Sequence, residues 1–175
     1  MTLTLLTGGA RSGKSTLALR RARAFGGPVV FVATGEARDP EMSERIARHR
    51  AERDPGWSTV EAPIDVAAAL ADVPAGACAI VDCLSLWVAN LLERGDGEDE
   101  IVALALEVAH LAAAREGPTI AVSNEVGMGV VPPYELGRLY RDVLGRVNVA
   151  WADHAAEAAL VVAGRPLVLG GLDGG

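Results

Sequence analysis

Seven short runs rich in apolar and β-branched residues recur along the chain, separated by longer segments with helical spacing. The runs cover residues 3–7, 28–33, 58–60, 78–81, 118–122, 160–162 and 166–169. They are continuous rather than alternating with polar positions, which is typical of strands that are buried on both faces of a sheet. Strands that alternate with helices predict an α/β fold whose central sheet is mostly parallel and is covered on both sides.

The length of the chain favours a single domain. Its 175 residues, 50% of them hydrophobic, are enough for one buried core and short for two. We therefore expect one domain over residues 1–175, with a glycine-rich tail at residues 169–175 that frays. Within the domain, Asp39 followed by Pro40 predicts the start of a helix that runs to about Arg53.

A phosphate-binding motif lies between the first predicted strand and the first predicted helix. Its residues, which fit GxxxxGK(S/T) in full, are Gly8, Gly9, Ala10, Arg11, Ser12, Gly13, Lys14 and Ser15. The glycines let backbone N–H groups close around phosphate oxygens at the positive end of a helix. Lys14 is expected to pair with the β- and γ-phosphates, and the Ser15 hydroxyl to bind Mg²⁺. The motif predicts nucleoside triphosphate binding and a three-layer domain of the P-loop NTPase type.

A carboxylate ends the fourth apolar run. Asp82 follows Ile80 and Val81, which is the usual Walker B position for coordinating Mg²⁺ directly or through water. The alternative is that Asp82 caps a helix beginning near Leu84. The two roles are compatible, and we take Asp82 as a metal-site candidate together with Ser15.

Charge and composition exclude several classes of function. The net charge of −7 argues against an electrostatic grip on nucleic acid, and 4% aromatic residues argue against base stacking. The first residues carry no basic segment, and no apolar run approaches the roughly 18 residues of a membrane span. We therefore expect a cytoplasmic protein that spans no membrane. Lys14 is the single lysine, so the chain lacks the NKxD element with which regulatory GTPases read guanine.

The predicted helix after Asp39 carries a basic stripe. Arg45, His49 and Arg53 follow one another at i, i+4 spacing and so share one face, which could turn toward a polyphosphate. From the residues alone, the favoured interpretation is a solvent-exposed, arginine-rich helix with an incidental histidine.

Several segments, taken in order, resemble one family. They are Gly8–Ser15, Glu41-Met42 with Arg45-Ile46 and His49-Arg50, Val81–Trp87, Ser123–Pro132 and Gly145–Asn148. This pattern is similar to the bifunctional adenosylcobinamide kinase and adenosylcobinamide-phosphate guanylyltransferase family of cobalamin biosynthesis. The resemblance spans nearly the whole chain up to the last strand. Pro40 departs from the family, which more often carries an acid there, and this affects the helix start rather than the chemistry.

The resemblance implies two reactions on one scaffold. A hydroxyl of adenosylcobinamide takes the γ-phosphoryl group of ATP or GTP; then a histidine, which falls on His49, takes GMP from GTP and passes it to adenosylcobinamide phosphate. His49 and Lys14 are thereby the catalytic candidates. The family's nucleotide contacts fall on Gly8 through Ser15 and on Thr34, Gly35, Glu36, Arg50, Ala51, Glu52, Arg53, Glu61 and Asp82. The resemblance also implies a homotrimer with shared active sites.

The remaining polar candidates have more than one interpretation. Asn124 and Glu125 follow the fifth run, at the sheet edge where α/β proteins bind ligands, and could orient or deprotonate the acceptor hydroxyl. Alternatively, this segment is only a glycine-shaped turn. Cys78 and Cys83 are expected to be buried free thiols, and His110 and His154 to be structural.

Two rival functions stay open from the sequence. One is a single-step small-molecule kinase in which His49 is idle, and the other is a nucleotide-binding regulatory module without transfer chemistry. A covalent GMP adduct would exclude both.

Overall fold

The computed structural model describes residues 2–170 as alternating strands and helices. In chain order they are β1 Leu3–Thr7, α1 Lys14–Phe25, β2 Val29–Ala33, α2 Pro40–Ala51, β3 Ser58–Glu61, α3 Val66–Ala71, β4 Cys78–Asp82, α4 Leu84–Arg94, α5 Glu98–Ala114, β5 Thr119–Val122, α6 Glu135–His154, β6 Glu157–Val162 and β7 Arg165–Leu169. All seven predicted strands are present.

One sheet contains these strands in the order β3-β2-β4-β5-β1-β6-β7. β6 and β7 pair antiparallel, and the other neighbouring pairs within residues 2–170 are parallel. Asp82 lies beside Ala33 of β2 and Val122 of β5, and Val122 in turn lies beside Leu6 of β1. The segments that leave β2, β4, β5 and β1 therefore emerge side by side at one edge, where α/β proteins bind ligands.

The helices cover the two faces of the sheet unequally. On one face, α1 packs Leu17 against Phe31 and Ile80 of the sheet. On the other face, α3, α4, α5 and α6 build the larger core, which includes Trp87 and Trp151. Successive strand residues point to opposite faces, so the continuous apolar runs supply both cores. The α/β class and the mostly parallel sheet are confirmed.

The start of α2 follows the sequence prediction, and its end comes earlier. Asp39 is the N-cap, its side chain accepts a 2.7 Å hydrogen bond from the Met42 amide, and Pro40 occupies the first turn. The helix stops at Ala51 rather than at about Arg53, because the Arg53 amide bonds to the Arg50 carbonyl three residues back and does not continue the i→i−4 pattern. α2 buries none of its residues. It therefore lies outside both cores, next to the sheet edge at which β1, β2, β4 and β5 end.

The predicted tail overlaps the last strand. Leu169 pairs with Ala158 in the β6–β7 hairpin, so the prediction that the chain frays from Leu169 is wrong at this residue. Residues 171–175 of the predicted tail lie outside the described residues. Within residues 2–170, no helix combines the length and the apolar character needed to cross a membrane.

Candidate active site

The loop between β1 and α1 has the backbone of a phosphate cradle. Gly13 is the N-cap of α1 with φ 98°, in the left-handed region that only glycine adopts without strain. Gly8 has φ 151°, and a Cβ there would lie 2.4 Å from the Val161 carbonyl oxygen. Both positions therefore require glycine, and the α1 N-terminus presents its free amides to the loop.

Lys14 is held inside this loop. Only 6% of the residue is exposed, and Nζ donates hydrogen bonds to the carbonyls of Gly8 at 2.9 Å and Gly9 at 2.7 Å. Desolvation lowers the pKa of the ammonium, although Cys83 and Asp82 oppose this shift. An ammonium has three donors, and two are used here. The ammonium is thus already positioned at the loop, and its third donor remains for an anion.

The β6–β7 hairpin braces the loop from outside. The Gly164 amide donates a 2.8 Å hydrogen bond to the Ser12 carbonyl. A Cβ on Gly13 would lie 3.0 Å from the Gly164 Cα. The two backbones touch at these glycines, so the last two strands fix the shape of a loop formed some 150 residues earlier.

Asp82 lies at the carboxyl end of β4, facing the loop. Burial raises the pKa of this carboxyl group, and the charges of His49, Arg53 and Lys14 and a hydrogen bond from Ser15 only partly offset that rise. Ser15 and Asp82 therefore present adjoining hard oxygen donors, a donor set that suits Mg²⁺. The capping alternative is not what forms, because the N-cap of α4 is Cys83.

The buried carboxylate of Asp82 makes stability depend on pH. The pKa of Asp82 in the folded protein lies above the ordinary value of 3.8. The free energy of unfolding therefore falls as pH rises from the ordinary pKa to the raised one, because the buried carboxyl group must ionise. We expect Asp82→Asn to raise the melting temperature of the nucleotide-free protein at about pH 8 and to leave it nearly unchanged below about pH 4. Thermal denaturation across this range measures the effect. A variant that is less stable than the wild type at about pH 8 would contradict it.

Cys83 and Thr34 form a buried pair directly behind Asp82. The Thr34 hydroxyl accepts from the Cys83 amide and donates to the Cys83 carbonyl, both at 2.8 Å. Burial raises the pKa of the Cys83 thiol, and likewise that of Cys78, to about 11. Both cysteines are buried and unpaired, which confirms the prediction of free thiols.

His49 reaches into the site from α2. Its Nδ1 lies 4.0 Å from Asp82 Oδ2, and 33% of its side chain is exposed. Arg45, one turn earlier, also lines the site. Arg53 lies beyond the helix end, yet its guanidinium stacks 3.5 Å from the centre of the Phe31 ring and it lines the same cavity. The basic stripe thus faces the P-loop, although its third member is not helical.

A single cavity of about 360 Å³ connects these groups. Its lining includes Ala10–Thr16 from the loop, Arg45, His49 and Glu52 from α2 and its end, Asp82 from β4 and Asn124 after β5. Ser12 Oγ and Arg53 Nε are buried without a hydrogen-bond partner among residues 2–170. Buried polar atoms normally have partners, so these two mark places where a polar ligand would complete the site.

The other predicted nucleotide contacts are divided between the cavity lining and its surroundings. Gly35 lines it, whereas Thr34 is the buried partner of Cys83. Glu36 pairs with Arg38, and Arg50 pairs with Glu61 at the outer edge. Glu52 and Arg53 line the cavity, whereas Ala51, which precedes them in the chain, does not. The structure therefore gathers the P-loop, His49 and Asp82 most closely.

The two acceptor-side candidates separate in the structure. Asn124 lines the cavity, and its Nδ2 donates to Ser85 Oγ at 2.9 Å. The Glu125 carboxylate instead accepts a 2.7 Å hydrogen bond from the Gly127 amide, closing a turn within its own loop. The Glu125 amide donates to the Gly8 carbonyl at 3.0 Å. The turn interpretation thus describes the Glu125 side chain here, while Asn124 faces the site.

The sequence analysis did not identify some of the residues that line the cavity. It did assign two histidines outside the site to a structural role. Phe31, Leu86 and Val122 line the cavity, and their apolar types gave no signal beyond their nearness to strand or helix ends. His110 and His154 pack edge to face with ring centres 6.0 Å apart, and neither lines the cavity. Their arrangement agrees with a structural role.

Residues 4–169 match the family described as cobinamide kinase / cobinamide phosphate guanyltransferase. The chain belongs to this family. Among members of the family, the bifunctional adenosylcobalamin biosynthesis protein CobP of Pseudomonas aeruginosa is 45% identical over 95% of this chain and 96% of its own length. The bifunctional adenosylcobalamin biosynthesis protein CobU of Escherichia coli K12 is 39% identical over 91% and 95%.

Solved structures agree on the fold of this cobinamide kinase / guanyltransferase family member. The ATPase domain of G40P superposes with a TM-score of 0.55 at 13% identity, covering 91% of this chain and 68% of that one. The RadB recombinase gives 0.50 at 18% identity, covering 91% and 73%. At such low identities the superpositions show the shared fold alone and say nothing about substrates.

Proposed function

We propose that this chain phosphorylates adenosylcobinamide with ATP or GTP and then transfers GMP from GTP, through His49, to adenosylcobinamide phosphate. The observation that carries the proposal is that one cavity is lined both by the P-loop from Ala10 to Ser15 and by a histidine beside the Walker B carboxylate, with His49 Nδ1 4.0 Å from Asp82. A kinase alone requires the P-loop and the carboxylate. The histidine facing them is what the second reaction adds.

In the kinase step the loop holds the triphosphate and the acceptor hydroxyl attacks. The hydroxyl oxygen forms a bond to the γ-phosphorus, the bond to the nucleoside diphosphate breaks, and the hydroxyl proton passes to a base or to water. Lys14 and the α1 amides stabilise the charge on the phosphate oxygens. Asn124 is the lining group on the acceptor side and orients the attacking arm. Glu125 reaches the hydroxyl only if its bond to Gly127 opens.

In the guanylyl step His49 is the nucleophile. An imidazole nitrogen forms a bond to the α-phosphorus of GTP, and the bond to pyrophosphate breaks. A phosphate oxygen of the acceptor then attacks the same phosphorus, so the nitrogen–phosphorus bond breaks and the imidazole is restored. Because Asp82 faces Nδ1, attack falls to the other ring nitrogen, Nε2. Arg45 and Arg53 lie on the same side as His49 and stabilise the departing pyrophosphate.

Mg²⁺ is the metal we propose for this site. Ser15 and Asp82 would hold it, and it would neutralise negative charge on the triphosphate. The outer groups, Thr34–Glu36, Arg50–Arg53 and Glu61, are proposed to complete the nucleotide site. The support is that Gly35, Glu52 and Arg53 already line the cavity.

The covalent intermediate separates this proposal from its two rivals. Wild-type protein incubated with GTP labelled at the α-phosphate should retain label that is acid-labile and alkali-stable, whereas GTP labelled at the γ-phosphate should leave none on the protein. Phosphorylation of cobinamide without any α-label on the protein would leave only the single-step kinase. Triphosphate binding without either product would leave only the regulatory module.

We also propose a homotrimer located in the cytoplasm. The edge strand β7 exposes Leu167 and Val168, 62% and 63% accessible, and the loop after β5 exposes Val130 at 96%. Exposed apolar side chains on an edge strand favour association with another chain. The cytoplasm is proposed because both reactions consume nucleoside triphosphates.

A further inference from the structure

One side chain of α6 holds the end of β5 in place. Asn148 Oδ1 accepts a 2.6 Å hydrogen bond from Ser123 Oγ, and Asn148 Nδ2 donates a 3.1 Å bond to the Asn124 carbonyl. Ser123 is fully buried, and Asn124 lines the cavity. A single amide thus fixes two successive residues at the point where the chain leaves the sheet toward the cavity.

The same connection continues into α4. The Asn124 amide donates to Ser85 Oγ at 2.9 Å, and Ser85 Oγ also contacts Cys83 Sγ at 2.9 Å. From α6, the Tyr140 hydroxyl donates a 3.1 Å bond to the Ser85 carbonyl. The helix therefore contacts both partners of the Asn124–Ser85 bond, at side chains about 12 Å apart along its axis. Asn124 is therefore held at its backbone carbonyl by Asn148 and at its side-chain amide by Ser85.

We propose that Asn148 is a positioning residue for acceptor turnover, acting through Asn124. The inference rests on the proposed function, because it assumes that Asn124 orients the acceptor. Asn148 itself is not among the residues that line the cavity. It contributes both an acceptor and a donor, a combination that an aspartate lacks because a carboxylate only accepts. A carboxylate at this position would also face the Asn124 carbonyl and repel it.

The proposed role of Asn148 concerns turnover of the acceptor and not binding of the nucleotide. Within residues 2–170, Asn148 makes no hydrogen bond to Lys14, His49 or Asp82. Triphosphate binding and guanylylation of His49 require no acceptor and should not depend on Asn148. Acceptor turnover requires the acceptor hydroxyl to lie at a defined distance from the phosphorus, and small displacements of the hydroxyl reduce the rate strongly.

Asn148→Ala and Asn148→Asp test this role, with Val149→Ala as the matched control because Val149 is the next residue of α6 and is exposed. We expect both Asn148 variants to lower kcat for cobinamide phosphorylation roughly tenfold or more. We expect the KM for ATP and the rate of single-turnover label transfer from α-labelled GTP to the protein to stay at wild-type values, and Val149→Ala to leave all three unchanged.

Two results would overturn the proposal. If adduct formation and phosphorylation fall together, Asn148 has a general structural role. If Asn148→Asp phosphorylates cobinamide at the wild-type rate, the donor to Asn124 is unimportant. A failure of the proposed function is distinguishable, because in that case the wild-type protein itself forms no adduct.

Discussion

Lys14→Ala should weaken Mg²⁺–GTP binding by roughly one to two orders of magnitude. The wild-type ammonium is already aligned in the loop by the Gly8 and Gly9 carbonyls, and its third donor would make one charge-assisted hydrogen bond to phosphate, worth about 1.5–3 kcal/mol. Alanine leaves those carbonyls facing the phosphates without an intervening cation. Isothermal titration with GTP, and separately with ATP, measures the loss.

Arg20→Ala is the control for Lys14→Ala. Arg20 is an exposed cation on the same helix, outside the cavity lining. Its removal changes the net charge by the same amount and should leave the affinity within about twofold, because solvent-exposed charges are screened. Equal affinity of Lys14→Ala and wild type for GTP would show that Lys14 does not contribute to nucleotide binding.

His49→Ala should divide the two activities. We expect guanylyl transfer to fall by at least about 10³-fold, since alanine offers no nucleophile, while phosphorylation of cobinamide stays within about tenfold of wild type. The kinase step uses the loop, Lys14 and Asp82, none of which depends on the imidazole for its position. Separate assays of pyrophosphate release from GTP and of ADP formation with cobinamide measure the two rates.

His110→Ala provides the matched histidine control. His110 packs on His154 away from the cavity, so this variant should retain both activities. If His49→Ala kept its guanylyl transfer, or if both activities fell in parallel, His49 would not be the nucleophile.

The chemistry-bearing elements could be predicted because each depends on local sequence. The P-loop is encoded by glycines at positions where the backbone needs them, as Gly8 and Gly13 show. The α2 start is encoded by Asp39 and Pro40, and the strands by continuous apolar runs. The position of Asp82 follows from the end of one such run. Local propensity and spacing are sufficient for these features.

The features that escaped prediction depend on contacts between distant segments. The brace of Gly164 on Ser12 joins residues some 150 positions apart, and nothing local marks it. The stacking of Arg53 on Phe31 depends on where the chain goes after α2 ends. The fold itself decided which of Asn124 and Glu125 faces the cavity, because the Gly127 amide captures the Glu125 carboxylate. Strand order, and therefore which strand ends are neighbours, is likewise set by the whole sheet.

The central claim is that one cavity serves both reactions. Its most direct test is competition: a slowly hydrolysed ATP analogue is titrated against α-labelled GTP, and the initial rate of label transfer to wild-type protein is measured. The account predicts purely competitive inhibition, with an inhibition constant equal to the dissociation constant of the analogue and a parallel loss of both in Lys14→Ala. Label transfer that persists when the analogue saturates the protein would place guanylylation at a second site and contradict the account.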